Sequence, residues 1–213
     1  LSTRFDAAGV PNLKWLFVKS LLRLPVRSAY TLADMAADGV ALLDHLGIAR
    51  AHIVGVSMGG MISQHIAARY PDRVLSLTSV MSTTGNPRLP RAQKEAMQVL
   101  TSRPMSGDPE DLIAYSVRAA KVIGSPGYPP DEERLQRRVR SDFERGWYPQ
   151  GVARQMAAIV ADGDRRPMLK SIDAPTLVIH GEGDPLVPLA GGRGTADKIS
   201  GARPLPLPRP GAA

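Results

Sequence analysis

The chain has 213 residues, a formal net charge of +7 and no cysteine, with 43% hydrophobic and 22% charged residues. These values are ordinary for a globular domain with a buried core, and the lack of cysteine excludes disulfides and thiolate chemistry and fits a cytoplasmic protein. The basic residues are dispersed among acidic ones and no apolar run is long enough to span a bilayer, so we expect neither a nucleic-acid nor a membrane partner.

Helices and strands are predicted to alternate in the first part of the chain. Residues 31–48 repeat apolar side chains at helical spacing, and Thr31 with Asp34 forms a capping-box start. The pattern continues with a strand over 51–57, a helix over 58–70 and a strand over 73–82. This order is typical of a parallel sheet with crossover helices, which is an α/β fold.

From residue 86 the pattern changes to short helices separated by proline and glycine. We predict these helices at roughly 91–103, 108–122, 131–145 and 150–162. The α/β pattern then resumes with a strand over 175–180, a turn-rich loop over 181–188 and a helix over 189–200. An insertion that leaves a sheet and returns to it predicts a cap over the carboxyl edge of the strands, where open α/β folds bind ligands.

The chain therefore divides into four predicted parts. They are core elements over 1–85, a helical cap over 86–170, a core strand, loop and helix over 171–200, and an irregular proline-rich tail over 201–213. In the tail, proline occupies positions 204, 206, 208 and 210. Alternate prolines remove hydrogen-bond donors from a strand, so we expect no interior strand there and only three strands in the sheet.

The stretch GVSMGG, residues 55–60, places Ser57 in a sharp turn between a strand and a helix. Such a turn strains the serine backbone and leaves no room for bulky side chains two residues away, which explains Gly55 and Gly59, while Gly60 gives further clearance. The turn presents the hydroxyl above the sheet. It also aims the first helical N–H groups, that of Met58 above all, at the place where an oxyanion would form.

Two stretches carry a resemblance to a known family. HIVGVSMGGMISQHIAARYPDRVLSLTSV (52–80) resembles the nucleophile region of α/β-hydrolase-fold enzymes, and PTLVIHGEGDPLVP (175–188) resembles their acid-bearing strand and loop. The similarity is greatest to small bacterial carboxylesterases of the aclacinomycin methylesterase group. The resemblance implies that Ser57 is the nucleophile and that Asp184 is the acid that orients the catalytic histidine. Residues alone also allow Asp184 to be a turn former before Pro185.

The family's histidine follows the acid, but no histidine follows Asp184 in this sequence. His45 lies near a predicted helix end. His52 is separated from Ser57 by about 16 Å of extended chain, and His65 by about 12 Å of helix. Only His180, at the end of a neighbouring strand, is a near candidate for a substitute base, and the resemblance makes it structural. We therefore expect the catalytic base to be missing.

Both ends of the chain depart from the family pattern. The first ten residues resemble the stretch after the family's fourth strand, and residues 201–213 contain only Gly, Ala, Arg, Pro and Leu. We expect a chain truncated at both ends, with a tail read out of frame in place of the last strand and the histidine loop. The strand over 51–57 is then left with an open apolar edge, so we expect poor stability and aggregation.

These observations favour a carboxylic ester hydrolase that works through a serine acyl-enzyme on a small-molecule ester. We expect it to need no cofactor or metal, and to be inactive as this fragment without its histidine. The alternatives are a cofactor-free perhydrolase, a hydrolase of carbon–carbon bonds with the same fold, and a non-catalytic binding protein. A strained serine disfavours the binding protein, because binding alone gains nothing from the strain.

Overall fold

A computed structural model describes residues 4–22, 24–102, 104 and 107–208, which form an α/β fold. The strands are β1 (Ala51–Val56), β2 (Val74–Val80), β3 (Thr176–Gly181) and β4 (Arg203–Leu207). The helices are α1 (Leu13–Leu21), α2 (Leu32–His45), α3 (Met58–Arg69), α4 (Lys94–Thr101), α5 (Pro109–Ile123), α6 (Glu132–Gly146), α7 (Pro149–Asp162), α8 (Arg166–Leu169) and α9 (Leu189–Ala196). Short 3-10 turns span Asp6–Ala8 and Pro71–Arg73. No helix in the described residues is both long and apolar enough to cross a membrane.

The four strands form one parallel sheet in the order β1-β2-β3-β4. Val56 lies opposite Val80, Val80 opposite Ile179, and Ile179 opposite Leu205. The carboxyl ends of all four strands therefore meet at one edge. The predicted parallel sheet with crossover helices is confirmed, and this shared edge is where the side chains that follow the strands can come together.

The expectation of an irregular tail is wrong for residues 203–207, which form β4. The reason is that β4 is an edge strand. The Leu207 carbonyl accepts a hydrogen bond from the Glu182 N–H (3.0 Å). The backbone N–H and C=O groups of Leu205 and Leu207 therefore point towards β3. Pro204 and Pro206 alternate with them and face the open side, where no N–H is needed. The expected loss of this strand is therefore wrong, the out-of-frame origin of the tail stays a prediction, and residues 209–213 lie outside the described residues.

The hydrophobic core lies on one face of the sheet. Helix α3 packs Ile66 and Ala67 against Val74 and Leu77 of β2, and all four side chains are buried. Helix α9 lies on the same face, because a Cβ on its Gly192 would lie 2.5 Å from the ring of His180 on β3. From α2, Ala36 and Val40 complete this cluster behind α3. The core therefore lies between α2, α3 and the sheet.

The opposite face of the sheet is largely open to solvent. Val54 and Val56 of β1 are 66% and 54% exposed, and Leu205 and Leu207 of β4 are 45% and 43% exposed. Parallel sheets normally bury both faces, because each strand connects through a crossover helix. The open edge expected along β1 is confirmed by the strand order, and the open surface extends across a whole face.

The four predicted helices between residues 86 and 170 are present as α4, α5, α6 and α7. Pro109 and Pro149 occupy first helical positions, where the missing N–H costs nothing. Helix α1 was not predicted, and it begins where the Asn12 side chain accepts a hydrogen bond from the Trp15 N–H (3.1 Å). The predicted division into core and cap stays a prediction.

The open face makes a testable prediction. We expect the chain to form high-mass species in solution, and replacement of Val54 and Val56 by lysine to increase the monomeric fraction, because charge on an exposed strand face opposes intermolecular contact. Size-exclusion chromatography with light scattering measures this. The matched control replaces Leu42 and Leu46, which are 56% and 58% exposed near the end of α2, by lysine. An equal gain from both pairs, or a monomeric parent chain, would contradict the prediction.

Candidate active site

Ser57 lies in the turn between β1 and α3 with backbone angles of φ 53° and ψ −116°. A non-glycine residue in this region costs about 1–3 kcal/mol and persists only where its neighbours hold it. Its N–H donates to the Val80 carbonyl (2.9 Å), and its own carbonyl accepts from the Ser82 hydroxyl (2.9 Å) and the Gly60 N–H (2.9 Å). The strained turn is thus tied to β2, to the loop after β2 and to α3.

Two of the three predicted glycines are required by close packing. A Cβ on Gly55 would lie 2.2 Å from the Gly59 carbonyl oxygen, and a Cβ on Gly60 would lie 2.7 Å from the Ser82 Cβ. Gly59 differs, because in the described residues a Cβ there would have no atom within 4 Å apart from its chain neighbours and the backbone of its own helix. The need for glycine at position 59 stays a prediction, while the close packing at Gly55 and Gly60 shapes the turn.

Met58 is the first residue of α3, directly after Ser57. The first four N–H groups of a helix have no acceptor inside the helix, and they carry the positive end of its dipole. The half-buried Ser57 side chain stands at this helix start. The Met58 N–H therefore has the position in the chain that an oxyanion donor needs, and that role stays a prediction.

Asp184 follows β3, and its side chain is 10% exposed. One carboxylate oxygen accepts hydrogen bonds from the N–H groups of Leu186 (2.9 Å) and Val187 (2.8 Å). These bonds are those of a turn-forming aspartate, so the turn role that the sequence left open is present. The second oxygen lies 3.7 Å from His180 Nε2. The same carboxylate borders a cavity, so a turn role and an acid role are compatible.

That cavity has a volume of about 150 Å³ and lies at the carboxyl edge of the sheet. Its floor is formed by the ends of β2, β3 and β4, and its roof by the last residue of α5 and the residues that follow it. Tyr128 in the roof donates a hydrogen bond to the Pro208 carbonyl (3.2 Å), which holds the roof against the end of β4. Val80, whose carbonyl binds the Ser57 N–H, also lines it. The cavity thus extends from Asp184 to the strand beside the nucleophile.

The surroundings of His180 are those of a buried, packed side chain. Its ring is 2% exposed, and its Nε2 lies 2.7 Å from the Val187 carbonyl oxygen. A carbonyl can only accept, so Nε2 carries the proton. The remaining nitrogen, Nδ1, is buried and has no hydrogen-bond partner among the described residues, and it lies 2.5 Å from where a Cβ on Gly192 would be. The ring is packed against α9, which agrees with the structural role that the resemblance implies, and that role stays a prediction.

The other three histidines also have different surroundings. His45 ends α2 on the surface, and His52 Nδ1 lies 2.8 Å from the Ser76 hydroxyl. His65 is buried in α3, with Nε2 2.8 Å from a carboxylate oxygen of Asp162. None of the four is hydrogen-bonded to Ser57 or Asp184 in the described residues. No group of three or more metal-binding side chains occurs there either.

A buried polar network ties α3 to the end of α7, and sequence reasoning missed it. Asp162 accepts from His65 and also from Arg165, which is 3% exposed. The Arg165 guanidinium donates further to the Gln64 side chain (2.9 Å) and to the Thr83 carbonyl (2.8 Å). The network therefore joins the nucleophile's helix, the loop after β2 and the segment after α7.

The electrostatics of this network favour its charged form. Burial alone would raise the pKa of Asp162, but hydrogen bonds from His65 and Arg165 outweigh burial and lower that pKa. The backbone segments before and after the insertion also meet at this network. The Arg165 N–H donates to the Thr84 carbonyl (2.8 Å), and a Cβ on Gly85 would lie 1.8 Å from the Gly163 carbonyl oxygen. The start and the end of the helical insertion are thus clamped together beside α3.

Comparison with known proteins agrees with this fold. The model of the α/β hydrolase fold family matches residues 14–208, and the chain belongs to that family. The chain is 28% identical over 195 residues to rhodomycin D methylesterase DauP of Streptomyces sp. (strain C5), covering 82% of this chain and 64% of the relative. It is 31% identical over 163 residues to the 2-hydroxy-6-oxononadienedioate/2-hydroxy-6-oxononatrienedioate hydrolase of Burkholderia vietnamiensis (strain G4), covering 74% and 54%.

Among solved structures, the enol-lactonase from Burkholderia xenovorans LB400 superposes with a TM-score of 0.64 at 28% identity. The match covers 85% of this chain and 66% of that one. The chain thus spans about two thirds or less of the length of the relatives described here. These relatives are hydrolases, and a hydrolase is the class that the family indicates.

The network around Asp162 makes a prediction with a pH signature. We expect Asp162→Asn to lower the free energy of unfolding at pH 7 by about 3 kcal/mol, because it leaves the buried Arg165 charge without the carboxylate that neutralises it. Since the folded-state pKa of Asp162 is lowered, its stabilisation is present above the unfolded pKa of about 3.9 and is lost as pH falls through the lower folded value. The difference from the parent should therefore shrink below pH 4 in denaturant titrations.

Asp164→Asn is the matched control for this experiment. Asp164 is also paired with an arginine, Arg166, and its pKa is also lowered, chiefly by the hydrogen bond from that side chain. The pair is at the surface, so we expect a cost below about 1 kcal/mol. Equal losses at the two positions would show that the buried network contributes no more than a surface pair.

The packing of His180 makes a second prediction. We expect Gly192→Ala to lower the free energy of unfolding by about 1–3 kcal/mol, because its Cβ would lie 2.5 Å from His180 Nδ1. Gly194→Ala in the same helix is the control, since its Cβ would lie 3.8 Å from Thr84 Cγ2. That change should be neutral or stabilising by up to about 1 kcal/mol. Equal effects measured by thermal and chemical unfolding would contradict the packing argument.

Proposed function

We propose that the protein represented by this chain is a carboxylic ester hydrolase that uses Ser57 as its nucleophile. The observation that supports this most is the strained backbone of Ser57, held at the carboxyl edge of the sheet by hydrogen bonds to Val80, Ser82 and Gly60. Strain of this kind is retained where it serves a mechanism. The relatives' ester and lactone chemistry supports the same reaction class.

In this mechanism, the Ser57 hydroxyl attacks the ester carbonyl and loses its proton to a base. The Met58 N–H donates to the carbonyl oxygen as it becomes an oxyanion. The alcohol leaves with a proton from that base, and water then hydrolyses the acyl-serine by the same steps in reverse order. Asp184 orients the base and stabilises its positive charge. The substrate is a small-molecule ester, no metal or cofactor takes part, and the lack of cysteine supports a cytoplasmic location.

The base is the group that this chain does not supply. His180 and His65 are each bound to another acceptor, and His45 and His52 lie at the far ends of α2 and β1 from Ser57. We therefore propose that these 213 residues acylate slowly and do not turn over esters efficiently. Removal of the base from a serine triad typically costs several orders of magnitude in kcat.

A second candidate is hydrolysis of a carbon–carbon bond. The Burkholderia vietnamiensis relative is named for a hydroxy-oxo dicarboxylic acid, which contains no ester. Its hydrolysis must break a bond between carbons next to the ketone. Ester and carbon–carbon hydrolysis differ in the pocket that orients the substrate, and the turn at Ser57 fits both.

Labelling with a fluorophosphonate tests the proposal. We expect slow labelling of Ser57, detected by intact mass, and a rise in rate when free imidazole is added as a base. Ser57→Ala should abolish labelling, and Asp184→Asn should reduce the imidazole-dependent part. Circular dichroism shows that each sample is folded. Absence of labelling in a folded chain, with and without imidazole, would favour a non-catalytic binding protein.

Substrates distinguish the two hydrolase candidates. With imidazole present, 4-nitrophenyl acetate should leave an acetyl group on Ser57, which mass spectrometry detects as a transient adduct. If Ser57 instead reacts with the fluorophosphonate but cleaves only a 2-hydroxy-6-oxo-dienoate, the ester proposal is wrong and carbon–carbon hydrolysis takes its place.

A further inference from the structure

The outward side of α1 carries an unusual set of exposed apolar side chains. Trp15, Val18, Leu21 and Leu22 are 56%, 39%, 59% and 60% exposed. Their spacing places them on one side of the helix, while Leu16 on the other side is 5% exposed. We refer to these four exposed side chains as the α1 face. Soluble proteins expose single apolar residues freely, but a contiguous set marks a contact surface.

Helix α1 carries positive charge, and acidic side chains are absent from the sequence around it. Lys14 and Lys19 belong to the same helix, and Arg27 follows it. No aspartate or glutamate occurs between Asp6 and Asp34. Helix α7, against which α1 packs, contains one acid, the buried Asp162, and the exposed Asp6 is paired with Arg154 of α7 at 3.6 Å. The surface is therefore apolar and cationic together.

We propose that the α1 face docks onto the surface of a membrane that contains anionic lipids. Apolar side chains, with a tryptophan among them, enter the boundary between headgroups and acyl chains, and lysines extend their ammonium groups to the phosphates. Each basic residue near such a surface adds electrostatic attraction. The sequence-based expectation of no membrane partner considered a spanning segment, whereas a helix of nine residues can lie in the surface plane.

Charge complementarity argues for lipid over a second copy of the chain. A symmetric dimer through the α1 face would bring Lys14 and Lys19 of each copy towards the same residues of the other. No acidic side chain of α1 could neutralise them, because the helix has none. The bare face of the sheet is different, since Val54, Val56, Leu205 and Leu207 have no lysine among them. The α1 face is thus the apolar surface whose charge fits an anionic partner.

Tryptophan fluorescence tests this proposal independently of any catalytic activity. The chain has two tryptophans, so Trp147→Phe leaves Trp15 as the reporter. We expect the emission to shift to the blue and the protein to float with vesicles of phosphatidylcholine and phosphatidylglycerol. Vesicles of phosphatidylcholine alone should bind much less, and added salt should weaken binding to the anionic vesicles.

Paired lysine variants separate the α1 face from net charge. We expect Lys14→Gln with Lys19→Gln to weaken vesicle binding by about 30-fold, since two basic side chains near the surface are lost. The control, Lys170→Gln with Lys198→Gln, removes the same charge elsewhere and should change binding much less. Circular dichroism confirms that both variants keep the parent's helix content.

Three results would overturn the proposal. One is the absence of a Trp15 shift with anionic vesicles. Another is an equal loss of binding in the two lysine pairs, which would assign the attraction to net charge. The third is a concentration-dependent blue shift without lipid, accompanied by a dimer in light scattering, which would make a second copy the partner of the α1 face.

Discussion

The hydrogen bond from the Ser57 N–H to the Val80 carbonyl joins the strained turn to the neighbouring strand. This bond continues the pairing of β1 with β2 by one residue beyond the end of β1. It therefore fixes the position along β2 at which the chain turns into α3. Gly55 and Gly60 then let the helix start against the strand ends. The direction of α3, and with it the core cluster beneath, depends on this one turn.

A second constraint closes the insertion onto that helix. Arg165 reaches Gln64 on α3 and the carbonyl of Thr83 after β2, while Gly85 and Gly163 bring the two backbones together. The arrangement of the helices α4 to α7 can vary without moving α3, since the insertion begins and ends at this one contact. The loop that carries Ser82, a partner of Ser57, is part of the same contact, so the insertion and the turn support each other.

The sequence predicts the features that local patterns determine. Glycine spacing and apolar periodicity predict the turn at Ser57, strands β1 and β2 and the four helices of the insertion. The family match confirms the fold. The sequence-based prediction of no strand was wrong at β4. Alternate prolines exclude an interior strand but are allowed in an edge strand, and a strand's position within the sheet does not follow from its local sequence. The Asp162 network was missed for a similar reason, since its partners lie about a hundred residues apart. The catalytic roles of Ser57, Met58 and Asp184 stay predictions.

The prolines of β4 also make the two edges of the sheet chemically unequal. On the β4 side, Pro204 and Pro206 face outwards and present no N–H to an incoming strand. On the β1 side, the backbone groups are those of ordinary residues. Strand addition can therefore proceed from one edge only. Two chains joined through their β1 edges would expose only proline-blocked edges, so this route leads to closed pairs and does not propagate into fibrils.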